Sequence, residues 1–238
     1  MDCDWKWNMQ TRLGSDGSDS DEEVVFTKRK KGKAPKEKEP VKKKYVSMLG
    51  ESDDAKRVSC IGNHIYFRAG VSKDSVGALN QYIVKLNSDF KELQDSNPGV
   101  DMTPKPIMLH INSYGGSVFA GFWAVDIIKQ SKIPIDTIVE GASASCGTIM
   151  SVVGRKRYIR PTASMLIHQL SSWFGGKMTE IDDDYQNLEQ MMSTIKKIYR
   201  EHTKMSDDQL DEFLKHDVWW MSEKCLSTGL VDEIWKGD

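Results

Sequence analysis

The sequence predicts an α/β domain built on a largely parallel sheet. Two observations carry this. Short apolar runs of strand length, at residues 107–111 and 135–139, are bounded by turn residues. Between and around them lie segments whose apolar residues recur every three or four positions, as at Val76, Leu79, Ile83, Leu86, Phe90 and Leu93. Strands alternating with helices imply βαβ units and parallel pairing. No internal repeat is visible.

In chain order, residues 64–68 read as a strand and 76–93 as an amphipathic helix. Residues 95–106 form a loop that turns at Asn97, Pro98 and Gly99. The strand at 107–111 runs into a turn at 112–117, and residues 118–131 form an apolar helix. The strand at 135–139 enters Gly141-Ala142-Ser143-Ala144-Ser145-Cys146-Gly147, a run of small residues that reads as a sharp turn. Residues 148–153 leave it as an apolar run. Residues 157–160 and 165–168 are short strands. The longest helix covers 180–203, and its stripe of Ile181, Tyr185, Leu188, Met191, Met192, Ile195, Ile198 and Tyr199 predicts core or a subunit interface. Short helices follow at 207–215 and 222–228, the second stopped by Gly229, and residues 230–234 close the sheet.

Composition divides the chain of 238 residues in two. Residues 1–44 hold little apolar material beyond Trp5, Trp7 and the run Val24-Val25-Phe26. They carry 12 of the 33 Lys/Arg and 9 of the 35 Asp/Glu, a net of +3; the remaining 21 and 26 give the body a net of −5. A mildly acidic body argues against a nucleic-acid-binding domain. The acidic block at 15–23 and the basic, proline-broken block at 28–44 cannot repay their ordering entropy. Residues 1–50 are therefore expected to be a disordered acidic/basic tail and 51–238 the folded domain. The tail reads as a linker, as a localisation signal or tether to an anionic partner, or as a propeptide. Cys3, Cys60, Cys146 and Cys225 show no metal-ligand or CxxC spacing and read as reduced thiols. No apolar run approaches the roughly 20 residues of a membrane span, and the N-terminus has neither a secretory nor a transit pattern. The expectation is a cytoplasmic protein, with nucleus or virion kept open by the basic tail.

Three residues carry candidate chemistry. A strand, a small-residue turn and a helix would present Ser145 at a helix N-terminus, where free N–H groups favour negative charge; the bland reading is a turn without chemistry. His168 ends an apolar run and competes with His64, His110, His202 and His216. Asp217 precedes Val218, Trp219 and Trp220, which predicts partial burial. A buried carboxylate needs a partner, and a histidine N–H would serve; the alternative is a helix cap. The order Ser…His…Asp does not fit the α/β-hydrolase order, and neither Ser143 nor Ser145 completes G-x-S-x-G.

These residues reach a known family. The body resembles the proteolytic subunit of the Clp protease over roughly residues 57–236. Asn112-Ser113-Tyr114-Gly115-Gly116 resembles its N-S-P-G-G turn, and residues 141–147 resemble its G-x-A-A-S-M-G nucleophile turn at the family spacing. Ile167-His168-Gln169 resembles its base motif. Asp217, followed by Gly229-Leu230-Val231-Asp232, resembles its acid motif and closing segment. Tyr114 stands where the family has proline, Cys146 where it has methionine, and His216 where it has arginine.

The resemblance implies a ClpP/crotonase-like fold of repeated β-β-α units with a protruding handle helix. It implies a serine endopeptidase with Ser145 as nucleophile, His168 as base and Asp217 as orienting carboxylate. The oxyanion hole would be the backbone N–H groups of Gly116 and Cys146, with glycine at 116 sparing the substrate a side chain. Residues Gly115, Ser117 and Val118 would bind substrate by strand addition. No metal and no cofactor in this subunit are implied, ATP entering only through a partner ATPase. The implied partners are further copies of the chain, in heptameric rings or a double ring, and unfolded protein or peptide substrates. The alternatives are an ATPase-independent processing protease of viral or phage particle proteins, a catalytically silent ring subunit, and an acyl-CoA enzyme of the crotonase type.

Overall fold

The computed structural model describes residues 54–173 and 175–237. The tail expected over residues 1–50, and the boundary at 51, lie outside them.

A 3-10 turn, Asp54–Arg57, leads into β1 (Val58–Ile61) and β2 (His64–Phe67), an antiparallel hairpin closed by Gly62 and Asn63. Gly62 has φ 60°, a conformation that suits a residue without Cβ. Helix α1 (Lys73–Asp95) starts at a reciprocal cap: Ser72 Oγ accepts from the Ser75 N–H at 3.2 Å, and Ser75 Oγ accepts from the Ser72 N–H at 3.0 Å. Its buried stripe is Val76, Leu79 and Ile83. Then follow β3 (Ile107–Ser113), α2 (Val118–Gln130), β4 (Ile135–Ala144), α3 (Cys146–Val152), β5 (Arg157–Ile159) and β6 (Ser164–Leu166). The long α4 (Met178–His202), α5 (Asp207–Leu214), β7 (Trp220–Met221), α6 (Ser222–Thr228) and β8 (Glu233–Ile234) complete the order.

The sheet runs β1-β2-β3-β4-β5-β8, parallel except for the β1–β2 hairpin, with β6 paired to β4 and β7 antiparallel to β6. Ile65, Phe67, Leu109, Ile111 and Val139 are fully buried and form one core with the apolar stripes of α1, α2 and α3. That burial supplies the main stabilisation, at roughly 25 cal/mol per Å² of apolar surface removed from water.

Strand β4 positions the site because it changes partner along its length. Thr137, Ile138 and Val139 pair with β5, whereas Ala142, Ser143 and Ala144 pair with β6. The change falls at Gly141, whose φ of 70° allows the bend. The run at 141–147, expected as a turn, is therefore extended strand as far as Ala144. Pairing with β6 overrides the low strand propensity of the small residues. Two further expectations shift: Asn112 and Ser113 belong to β3 rather than a turn, and β6 stops at Leu166, before His168. Strands β1 and β7 add to the sequence-based reading. In α4 only Ile195 and Tyr199 are buried, and the N-terminal half projects with Met178, Ile181 and Tyr185 exposed.

Candidate active site

The reversal that the sequence spreads over seven residues is concentrated in one. Ser145 is the N-cap of α3 and has φ 53°, ψ −124°. Among the described residues it is the only non-glycine with positive φ. Such a backbone is disfavoured by about 1–3 kcal/mol and is held only where its surroundings over-determine it. Here the Ser145 N–H donates to the Leu166 carbonyl at 3.0 Å. The Ser145 carbonyl accepts from the Thr148 N–H at 2.9 Å and from Thr148 Oγ1 at 2.6 Å. No side chain caps α3, so the N–H of Cys146, the first helical residue, stays available at the positive end of the helix.

The turn after β3 lies directly against this serine. Ser113 pairs with Ser143, which brings Gly115 so close that a Cβ there would sit 2.6 Å from Ser145 Cβ and 2.8 Å from the Ala144 carbonyl oxygen. Gly116 forms an isolated parallel bridge with Val71: the Val71 N–H donates to Gly115 O and the Ser117 N–H to Val71 O, both at 2.8 Å. A Cβ at 116, with φ 153°, would lie 2.3 Å from the Val71 carbonyl oxygen. The glycine is thus required by its own sheet neighbour, a reason separate from the expected one of sparing the substrate. The bridge also takes up the Gly115 carbonyl and the Ser117 N–H, while the main-chain groups of exposed Gly116 face the other way. Cys146 Sγ lies 3.4 Å from the Gly116 carbonyl oxygen, and burial pushes its thiol up from the ordinary range. Its sulfur is a packed, protonated group.

His168 follows β6 and is half-buried. The Gln169 N–H donates to the Leu214 carbonyl at 2.8 Å, tying the segment after His168 to the end of α5. Three residues beyond Leu214, Asp217 Oδ1 lies 3.1 Å from His168 Nδ1. A carboxylate only accepts, so Nδ1 is the donor, and in the neutral imidazole the lone pair then lies on Nε2. The Asp217 side chain is 53% exposed, contrary to the expected partial burial. The reason is that Val218 and Trp219 do not enter the core; both are exposed, and the Trp219 ring stands perpendicular to that of Tyr114, centroids 6.1 Å apart. The other four histidines do not compete. His64 and His110 are joined at 2.9 Å on the sheet, with His110 held by Glu140 at 2.9 Å; His216 is bonded to Glu212 at 3.3 Å; His202 ends α4. No hydrogen bond links Ser145 to His168 among the described residues, so the histidine–aspartate pair is formed and the serine–histidine contact is open.

Val71, Thr148, Leu166 and Tyr199 escape sequence reasoning because they act through main-chain and buried bonds, Val71 on the glycine turn, Leu166 and Thr148 on the serine, and Tyr199 on Thr148. Among the described residues no group of three or more metal-ligating side chains is present, and no helix is long and apolar enough to cross a membrane.

The sequence model of the Clp protease family matches residues 100–238. The chain is 33% identical over 146 residues to ATP-dependent Clp protease proteolytic subunit 1 of Chlamydia trachomatis, covering 60% of this chain and 73% of that protein. It is 34% identical over 130 residues to proteolytic subunit 3 of Streptomyces coelicolor, covering 54% and 60%. It is 32% identical over 176 residues to the proteolytic subunit of Streptococcus pneumoniae, covering 72% and 84%. Fold and sequence together define a serine peptidase of the ClpP-like class. The chain belongs to the Clp protease family.

Proposed function

We propose that the chain hydrolyses peptide bonds by acyl transfer to Ser145. His168 Nε2 accepts the hydroxyl proton as Oγ attacks the scissile carbonyl carbon. The backbone N–H groups of Gly116 and Cys146 stabilise the tetrahedral oxyanion. His168 then returns the proton to the leaving amine, and the acyl-enzyme is opened by a water that His168 activates in turn. Asp217 holds the imidazole in the required tautomer. An extended substrate adds along the turn Gly115, Gly116, Ser117 and Val118, on the side away from Val71. The observation that carries this reading is the bond from His168 Nδ1 to Asp217, which leaves Nε2 as the basic nitrogen.

The open serine–histidine contact is part of the proposal. Assembly or substrate closes it, as catalytic hydrogen bonds commonly tighten in the productive complex. The exposed Met178, Ile181 and Tyr185 on α4 support self-association into rings. The names of the relatives support a Clp-type ATPase as the partner that delivers unfolded chains, ATP being used there and no cofactor here. A cytoplasmic location goes with this reading.

A fluorophosphonate probe followed by peptide mapping tests it. Labelling of Ser145, absent in Ser145→Ala, together with cleavage of a fluorogenic peptide, is the expected result. An assembled, folded sample in which Ser145 stays unlabelled overturns it. Native mass spectrometry of the same sample reads the ring state.

A further inference from the structure

Behind the serine lies a buried relay. Thr148 Oγ1 donates its single proton to the Ser145 carbonyl at 2.6 Å. The same oxygen is hydrogen-bonded to the hydroxyl of Tyr199. With the threonine proton already committed, the tyrosine must be the donor, which gives one direction: Tyr199 O–H to Thr148 Oγ1–H to Ser145 C=O. Both side chains are buried, and Tyr199 is among the largest fully buried residues of the chain.

We propose that Thr148 and Tyr199 are positioning residues that hold Ser145 in its left-handed backbone and transmit the placement of α4 to the nucleophile. The inference deepens the reading of Ser145 as nucleophile and rests on it. Ser145 has φ 53°, so the site exists only while both of its peptide groups are held. The N–H side is held by Leu166 and the carbonyl side by Thr148 alone. Tyr199 fixes the threonine rotamer from the last turns of α4. That stretch, with Ile195, is the buried anchor of a helix whose first half is exposed. A displacement of α4 therefore reaches the Ser145 carbonyl through two hydroxyls.

The competing explanation is that the two hydroxyls merely satisfy each other in the core. A double variant separates the two, because replacing both partners by apolar groups is close to neutral for stability, whereas removing one strands the other. The test uses the full chain as Thr148→Val, Thr148→Ser, Tyr199→Phe and Thr148→Val/Tyr199→Phe. The readouts are melting temperature, and kcat and KM per fluorophosphonate-titrated site. The expected result is a fall in kcat of roughly 10- to 100-fold in Thr148→Val and in the double variant, with KM changed less than about twofold. Thr148→Ser, which keeps the hydroxyl, stays within about threefold of the parent. The double variant regains melting temperature lost in Thr148→Val without regaining kcat. A double variant with parental kcat per site overturns the proposal. If the parent is not labelled at Ser145, the functional reading has failed, and hydrogen exchange at the Ser145 and Thr148 amides decides the relay. Faster exchange in Thr148→Val but not in Thr148→Ser supports it, and equal exchange overturns it.

Discussion

Ser145 and Leu166 are joined main chain to main chain, the serine N–H donating to the leucine carbonyl at 3.0 Å. Leu166 ends β6, and His168 lies two residues beyond it. The frames of the two residues are therefore locked together by sheet pairing, whatever their side chains are doing.

In the proposed mechanism Asp217 acts through the imidazole tautomer. Asp217→Asn places an amide group against Nδ1 and allows the tautomer that puts the proton on Nε2. We expect kcat to fall by roughly 10² to 10⁴ with the fold intact. Steady-state kinetics with circular dichroism checks this, and a change of less than threefold would remove Asp217 from the mechanism.

The glycine pair should not tolerate a methyl group, for two different reasons. Gly115→Ala drives Cβ into Ser145 and Ala144, and Gly116→Ala drives it into the Val71 carbonyl. Each is expected to lose about 1–3 kcal/mol of stability by overpacking. Gly115→Ala additionally displaces Ser145, the proposed nucleophile, so its fluorophosphonate labelling rate should fall further than its stability explains. Chemical denaturation and labelling kinetics on the same samples separate the two effects.

His110 gives the domain a pH dependence of defined sign. Burial depresses its pKa below the ordinary 6.5; the hydrogen bond and charge of Glu140 oppose this, and His64 and Arg160 reinforce it. Burial pushes the Glu140 carboxyl up, but hydrogen bonds from His110 and Arg160 outweigh it and hold the group below the usual glutamate range. As pH falls the unfolded chain takes up the histidine proton first. Stability from this site is therefore complete above pH 6.5 and is lost as pH falls from there through the lower folded-state value. Melting temperature should fall as the pH is lowered from the ordinary histidine value of 6.5 through the depressed folded-state value, and His110→Phe should flatten that slope. Parallel slopes in the two proteins would exclude His110 as the source.

Much of this was legible in the sequence, and what was not has physical causes. The periodic stripe of α1 and the apolar run of β3 announce themselves, and Gly229 marks the end of α6 with φ 75° as a C-cap glycine should. Ser145, His168 and Asp217 were singled out by residue type and by their resemblance to the Clp motifs, and the structure brings the last two into hydrogen-bond contact. The hairpin of β1 and β2 carried a readable signal in Gly62-Asn63 between two strand-forming runs. The extension of β4 through Ala144 carried none, since alanine and serine have no strand preference and only the partner β6 decides. Gly116 shows the same limit: its need for glycine comes from Val71, 45 positions earlier in the chain.

The backbone of Ser145 has one more consequence, for heat resistance. Glycine is the residue that relaxes φ 53° without penalty, while alanine retains it. Ser145→Gly should therefore melt above Ser145→Ala, by an amount corresponding to about 1–3 kcal/mol, and scanning calorimetry of the two variants would show it. A screen for thermal tolerance alone would drift towards that glycine and select a sturdier protein that has lost the Ser145 hydroxyl.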